Sequence, residues 1–290
     1  MTERKREKMT EWIRKKHTDE IREDEAYGVP FLYFPALRNT GLVKHAFSTR
    51  MGGVSSGFYS TMNFSVTGND SSENIRENYR RMAEAIGVRE DSFVISNQDH
   101  TTNLEVIRER SRGSAYPFQR FGHAVDGLLT DVPGLTLVTF YADCIPLFFL
   151  DPVKKAAALS HSGWRGTLNG MGNVTVKRMQ KEYGSEPEDI IACIGPGICR
   201  DCFEIGEDVA ERFRKEFSFG NPESLLSGRH GDRLQLDLWE ANRQVLLYAG
   251  LKTENIHITD ICTHCNPDRL FSYRSAGKNR GNLAAFLSLV

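Results

Sequence analysis

Cys144-Ile145-Pro146-Leu147-Phe148-Phe149-Leu150-Asp151-Pro152-Val153-Lys154-Lys155-Ala156-Ala157-Ala158-Leu159-Ser160-His161 reads as a β-hairpin. Two apolar runs flank an Asp-Pro pair, and Pro directly after Asp suits a tight turn. With Pro152 and Val153 as the central turn residues, paired positions sum to 305 and Cys144 stands opposite His161. Directly opposed side chains have Cβ atoms roughly 4.5–5.5 Å apart, close enough to share one metal ion. Pro146 has no N–H for a ladder, so an edge or a bulge is expected there. The same two residues also read as an ordinary core cysteine and an unrelated histidine.

A third donor lies upstream in Asn97-Gln98-Asp99-His100. Two imidazoles and one thiolate make a three-ligand zinc site with an open fourth position, as a catalytic zinc needs. Around these motifs a pattern recurs. Ile75, Tyr79, Met82 and Ile86 keep helical spacing, Gly87 stops the helix, and Ser92–Ile95 begins a strand. Val174, Met179 and Tyr183 do the same before Gly184 and Ile190–Ile194, as do Leu238, Ala241, Val245 and Tyr248 before Gly250 and Ile256–Ile258. Amphipathic spacing closed by Gly marks a helix end. Each unit leads into a polar loop: Gln98-Asp99-His100, Gly195-Pro196-Gly197 and Cys262-Thr263-His264-Cys265. Further strands are expected at Val43–Thr49 and Leu135–Tyr141, and a helix over Gly166–Tyr183. Helices mixed with hairpins predict an α+β class with mixed sheets.

The chain has 290 residues, 40% of them hydrophobic, with a net charge of −1. That allows a sizeable core and gives no case for a nucleic-acid or membrane surface. No apolar run reaches the ~18 residues of a membrane span, and no signal peptide is visible, so the cytoplasm is the expected location. Residues 1–26 are dense in mixed charge and read as an extension, with Glu3–Arg22 a solvated helix or a tail. Residues 27–290 then form the catalytic domain.

Other residues suggest chemistry. Ser48-Thr49-Arg50-Met51-Gly52-Gly53 follows a strand, and Arg50 can grip phosphate or carboxylate bidentately. Asn63 and Gln98 can orient a polar substrate, and a guanidinium at Arg165, beside a metal, would stabilise negative charge. Asp143, adjacent to Cys144 on extended backbone, faces away from the site. Cys199-Arg200-Asp201-Cys202 and Cys262-Thr263-His264-Cys265 suit a four-thiolate zinc or plain core cysteines. His45 and His123 read as structural.

Taken together, these motifs resemble the laccase-domain, or YfiH-like, family, in particular its YlmD branch. The resemblance rests on Phe47-Ser48-Thr49-Arg50 with Gly52-Gly53-Val54-Ser55, Asp126-Gly127-Leu128-Leu129-Thr130, Ala142-Asp143-Cys144 and His161-Ser162-Gly163-Trp164-Arg165-Gly166. It continues through Ile194-Gly195-Pro196, Asp260-Ile261-Cys262-Thr263 and Phe271-Ser272-Tyr273-Arg274. It implies a single-domain layered α/β/β/α fold and zinc on His100, Cys144 and His161. It further implies a purine nucleoside phosphorylase acting on adenosine, inosine and methylthioadenosine, with adenosine deaminase activity. The expected catalytic residues are His100, Cys144, His161 and Arg165; Arg50, Asn63 and Gln98 are expected to bind substrate. Purine nucleosides and phosphate are the expected partners. The family also carries readings as a copper-dependent polyphenol oxidase and as an editor of peptidoglycan precursors, and a non-enzymatic zinc module is a further alternative. Copper on two His and one Cys would call for a long axial Met, and none stands near the three motifs.

Overall fold

The computed structural model describes residues 11–66, 68–108, 121–231 and 233–290. Strands run over Arg22–Ala26 (β1), Val29–Tyr33 (β2), Val43–Ser48 (β3), Phe93–Ile95 (β4), Leu104–Val106 (β5), Gly127–Thr130 (β6), Thr136–Tyr141 (β7) and Ile145–Asp151 (β8). They continue over Ala156–Ser162 (β9), Ile191–Ile194 (β10), Glu204–Gly206 (β11), Leu226–His230 (β12), Arg233–Leu236 (β13), Ile256–Ile258 (β14) and Leu283–Leu289 (β15). The helices are Pro35–Arg38 (α1), Ser72–Ile86 (α2), Trp164–Leu168 (α3), Met171–Tyr183 (α4), Glu207–Glu216 (α5), Leu238–Tyr248 (α6) and Tyr273–Ala276 (α7). Two six-stranded sheets, β1-β2-β3-β15-β7-β4 and β14-β10-β8-β9-β6-β5, carry the fold, with a small third sheet β11-β13-β12. Both large sheets mix parallel and antiparallel pairs, as in β4–β7 against β7–β15 and β10–β14 against β8–β10.

Period-2 alternation along the strands builds the layers. On β7, Leu137 and Tyr141 face the second sheet, while Val138 and Phe140 face α2. On β8, Phe148 and Leu150 enter the space between the sheets, and Leu147 and Phe149 pack toward α4 and α6. Three buried clusters result: α2 on the first sheet, sheet on sheet, and the second sheet under α4 and α6. This is a mixed α+β domain with an α/β/β/α layering. Helix α2 shows how local sequence sets an element. Ser71 caps it by accepting from Asn74 N–H, Gly87 ends it with φ 69°, and Ile75, Tyr79, Met82 and Ile86 form its buried stripe.

The central hairpin differs from the expected register. Asp151 pairs with Ala156 and Pro146 with His161, so paired positions sum to 307 rather than 305. The turn is longer because Asp151 Oδ1 accepts the N–H groups of both Val153 and Lys154 at 2.9 Å, and Lys155 turns the chain with φ 52°. Cys144 therefore stands not opposite His161 but just before β8, level with Gly163. A shift of two positions keeps the face unchanged, since side chains alternate with period 2. Pro146 makes no bulge, and its carbonyl accepts from Gly195 N–H.

The helix expected over Gly166–Tyr183 is two helices, because Gly170 enters the left-handed region at φ 71° and breaks it. Residues 1–10 of the charged N-terminus lie outside the described residues. Of the rest, Arg14 bridges Ile261 and pairs with Asp260 at 2.6 Å, and Arg22–Ala26 is an edge strand; no helix forms there. No helix among the described residues is long and apolar enough to cross a membrane.

Candidate functional site

The site lies at one end of the sheet sandwich, where the segments after β4, before β6 and around the central hairpin meet. Its organiser is Asp126, fully buried just before β6. Three successive backbone N–H groups donate to its carboxylate: Asp99 at 3.2 Å, His100 at 3.0 Å and Thr101 at 2.9 Å. Thr101 Oγ1 adds a fourth bond at 2.7 Å. Wrapping a loop around one carboxylate forces a tight path, and His100 takes φ 60°. Asp126 Oδ1 also accepts Nδ1–H of His161 at 2.9 Å. That bond leaves His161 only Nε2 to offer the centre, the usual device for orienting a metal-binding imidazole.

Cys144 Sγ lies 3.8 Å from His100 Nε2, and the donor atoms of His100, Cys144 and His161 all fall within 4.8 Å of one another. For a tetrahedral ion with Zn–N near 2.0–2.1 Å and Zn–S near 2.3 Å, donors sit about 3.3–3.7 Å apart, so small side-chain adjustments close the site. Electrostatics favour the ligand form of the thiol. Burial would raise the Cys144 pKa, but the charge and hydrogen bonding of His161 and His100 outweigh it and hold it at about 6. Burial would lower His161, but the Cys144 thiolate and Asp126 carry it up to about 9. His100 is exposed, so the centre opens to solvent on one side.

Gly163 completes the geometry. A Cβ there would meet Cys144 Sγ at 2.9 Å and His100 Cδ2 at 3.0 Å, while its φ of −72° suits any residue. Gly163→Ala should therefore keep the fold and weaken metal binding, by at least about tenfold by analogy with other changes around metal ligands. Chelator competition against the parent protein measures this; unchanged affinity would show that the donors need not stand so close.

Two cavities flank the donors. The smaller, about 200 Å3, is lined by Gln98, Tyr141, Ala142, Arg280 and Asn282. The larger, about 540 Å3, is lined by Trp164, Arg165, Phe203, Tyr273, Arg274 and Arg280. Both include His100, Cys144 and Arg280. The larger falls within the roughly 300–1,000 Å3 of small-molecule sites.

Of the candidate residues, His100, Cys144 and His161 come together, and Arg165 joins them on the larger cavity wall, its guanidinium 4.4 Å from the Trp164 ring. Gln98 lines the smaller cavity with its amide paired to Phe140, accepting from N–H at 2.6 Å and donating to the carbonyl at 2.8 Å. Arg50 lines neither cavity. It donates to the Ser60 and Pro267 carbonyls and lies 4.5 Å from the Phe271 ring. Asn63 is fully buried and accepts the N–H of Asn282 at 2.9 Å, so it touches the site only through that loop. Asp143 does not face away as expected: its backbone is left-handed (φ 92°) rather than extended, it lines the larger cavity, and its carboxylate holds the facing loops by accepting from Thr263 Oγ1, Ser272 Oγ and Arg274 N–H. His45 is buried and accepts Phe34 N–H through Nε2; burial keeps it neutral, with its pKa lowered to about 3.

Sequence reasoning gave no role to Asp126 or Arg280. Asp126 stood in a quoted motif but is distant in sequence from each of the three candidate donors. Arg280 precedes Gly281, where a Cβ would strike Phe271 at 2.6 Å, and this close approach is the one local hint of a constrained loop there.

A family model described as multi-copper polyphenol oxidoreductase laccase matches residues 44–290. The chain belongs to this family. YfiH-like proteins similar to it include a purine nucleoside phosphorylase of Bacteroides thetaiotaomicron, 35% identical over 253 residues that cover 87% of this chain and 93% of the relative. Adenosine deaminase RL5, from an unknown prokaryotic organism, is 33% identical over 81% of this chain and 90% of its own length. The crystal structure of YlmD from Geobacillus stearothermophilus superposes with a TM-score of 0.82 at 30% identity, covering 92% of this chain and 97% of that one. The fold and the YlmD-type YfiH-like assignment thus agree.

Proposed function

We propose that this YfiH-like chain is a zinc-dependent purine nucleoside phosphorylase acting on adenosine, inosine and methylthioadenosine, with adenosine deaminase activity at the same centre. The observation that carries this reading is an open three-donor centre at the junction of two cavities whose walls supply Arg165, Arg274 and Arg280. The names of the relatives support the reaction class. The expected boundary at 26/27 moves: Ile21 lies in the core and Arg22–Ala26 in the first sheet, so the catalytic unit, working in the cytoplasm, would include the described residues from 11 onward.

Zinc held by His100, Cys144 and His161 would supply a Lewis acid with an open coordination position. The chain's own residues do the rest. Asp126 keeps His100 and His161 oriented. Tyr273, Phe203 and Trp164 give the larger cavity aromatic faces suited to a purine and its sugar. Arg280 lines both cavities, its Nη1 donating to the Gly281 carbonyl and Asn282 Oδ1, and a guanidinium held beside the centre can bind a phosphate oxygen. Cleavage of the N-glycosidic bond builds positive charge on the sugar, so a phosphate gripped by guanidinium groups stabilises it. We therefore assign anion binding to Arg280 and Arg165, with Gln98 shaping the smaller cavity and Arg50 and Asn63 supporting the loops behind it.

The family description implies several coppers. Among the described residues, the donor groups able to hold a metal are this triad and one four-cysteine cluster, so the histidines of a multicopper centre are not gathered there.

Pure protein incubated with adenosine should release adenine and ribose 1-phosphate only when phosphate is present, and inosine without it. Absence of both products, with phenol oxidation by a copper-loaded form, would overturn the reading. Arg280→Lys keeps the charge and loses the planar fork, so it should raise the KM for phosphate at least about tenfold. An unchanged KM would place phosphate elsewhere.

A further inference from the structure

We propose that Cys199, Cys202, Cys262 and Cys265 form a second metal centre, a closed four-thiolate site for a structural zinc ion. The four Sγ atoms all lie within 4.8 Å of one another, and Cys202 and Cys265 approach to 3.5 Å. Sulfurs around a tetrahedral zinc with Zn–S near 2.3 Å stand about 3.8 Å apart, so these distances bracket the required value. All four are free thiols, and 3.5 Å is far beyond the roughly 2.05 Å of a disulfide.

Two Cys-x-x-Cys loops supply the ligands, one after β10 and one after β14. These are neighbouring parallel strands, so the sheet itself delivers both loops to the same end. The intervening sequence is much longer than in a zinc ribbon, and the sheet pairing replaces the short spacing. Cys199 and Cys262 belong to the core and Cys202 and Cys265, half-buried, pack against it, but core packing does not by itself require four sulfurs to converge around one point. The surroundings suit thiolates. Cys199 N–H donates to Cys262 Sγ at 3.2 Å, and Lys15 makes a side-chain contact with Cys265 while bonding Asp201 at 3.0 Å.

The site would brace the larger cavity. Phe203 of the cavity wall directly follows Cys202. Thr263, between the second pair of ligands, donates to Asp143 at 2.6 Å, and Asp143 is the neighbour of Cys144. Ile198 N–H, beside Cys199, donates to the Asp143 carbonyl at 2.9 Å. Zinc here would tie both loops to the segment that presents Cys144, and it would add to folding stability.

The test uses the full chain carrying Cys144→Ala, which disables the other centre. Metal analysis should give one zinc per chain, and X-ray absorption at the zinc edge should show four sulfur neighbours at about 2.3 Å. Adding Cys202→Ser should reduce zinc to a trace and lower the melting temperature, whereas Cys202→His should retain zinc, because three Cys and one His also close a structural site. A zinc-free Cys144→Ala protein with four reactive thiols, two disulfides among these cysteines, or zinc bound by nitrogen and oxygen would overturn the proposal. The Cys144→Ala measurement decides the matter even if Cys202→Ser fails to fold. Wild-type protein holding one all-sulfur zinc would support this site while removing zinc from the triad.

Discussion

Cys144→Ala should remove one equivalent of zinc and abolish both phosphorolysis and deamination while leaving the fold in place. The thiol is the sole anionic donor of the triad, held as thiolate near neutral pH by His161 and His100 against the effect of burial. Without it two imidazoles remain, one of them on a strained, exposed loop. Loss of affinity should exceed the roughly 10–100-fold typical of changes to residues that merely hydrogen-bond a ligand. The fold should survive because Cys144 precedes β8 and belongs to no ladder pair, and the buried clusters on either side of β8 keep their side chains. Circular dichroism and a melting curve check the fold, and metal analysis beside product assays checks the site. Retained zinc stoichiometry together with full activity would remove the triad from the chemistry.

Asp126→Asn should damage both stability and metal binding although it changes no ligand. The carboxylate receives three backbone N–H groups, one hydroxyl and the His161 ring, all as an acceptor. An amide offers one accepting oxygen and turns its NH2 toward donors, leaving buried N–H groups unpaired. Burial would raise the Asp126 pKa, but His161 and Thr101 hold it at about 2, so the carboxylate is charged at any working pH. Breaking such a buried pair costs about 3–5 kcal/mol. The loop bearing His100 would loosen and His161 would lose its fixed tautomer, lowering zinc affinity by roughly 10–100-fold. Denaturant unfolding and chelator competition measure the two effects. A loss of stability with unchanged zinc affinity would make Asp126 a folding residue alone.

Much of the architecture is local and therefore readable. Ser71 and Gly87 bound α2, and the stripe Ile75, Tyr79, Met82 and Ile86 marks its buried face. Strands at Phe93–Ile95, Ile191–Ile194 and Ile256–Ile258 fall where apolar runs follow glycine stops, and Thr136–Tyr141 falls on an apolar run of its own. That His100, Cys144 and His161 could serve together as donors was legible because few side-chain types can bind a transition metal. The hairpin face was legible too, since alternation survives a two-residue shift. The register was not: it turned on how the Asp151 carboxylate caps two N–H groups and on Lys155 adopting φ 52°.

What only tertiary structure decided is which distant groups share space. From the residues alone, Arg50 looked like an anion ligand because it follows a strand in a glycine-rich loop, yet it lines neither cavity, and its Nε and Nη1 donate to the Ser60 and Pro267 carbonyls. Arg280, unremarked in the chain, reaches both cavities beside Cys144 because β15 brings its preceding loop to that end of the sheet. Asp126 gains its importance from five donors that converge on it from two segments. The physical reason is common to all three. Helix stops, strand faces and ligand chemistry depend on a residue and its near neighbours, so the chain by itself determined them. Hydrogen-bond partners and cavity walls depend on which strands lie side by side, and that is set by the burial of two sheets against each other.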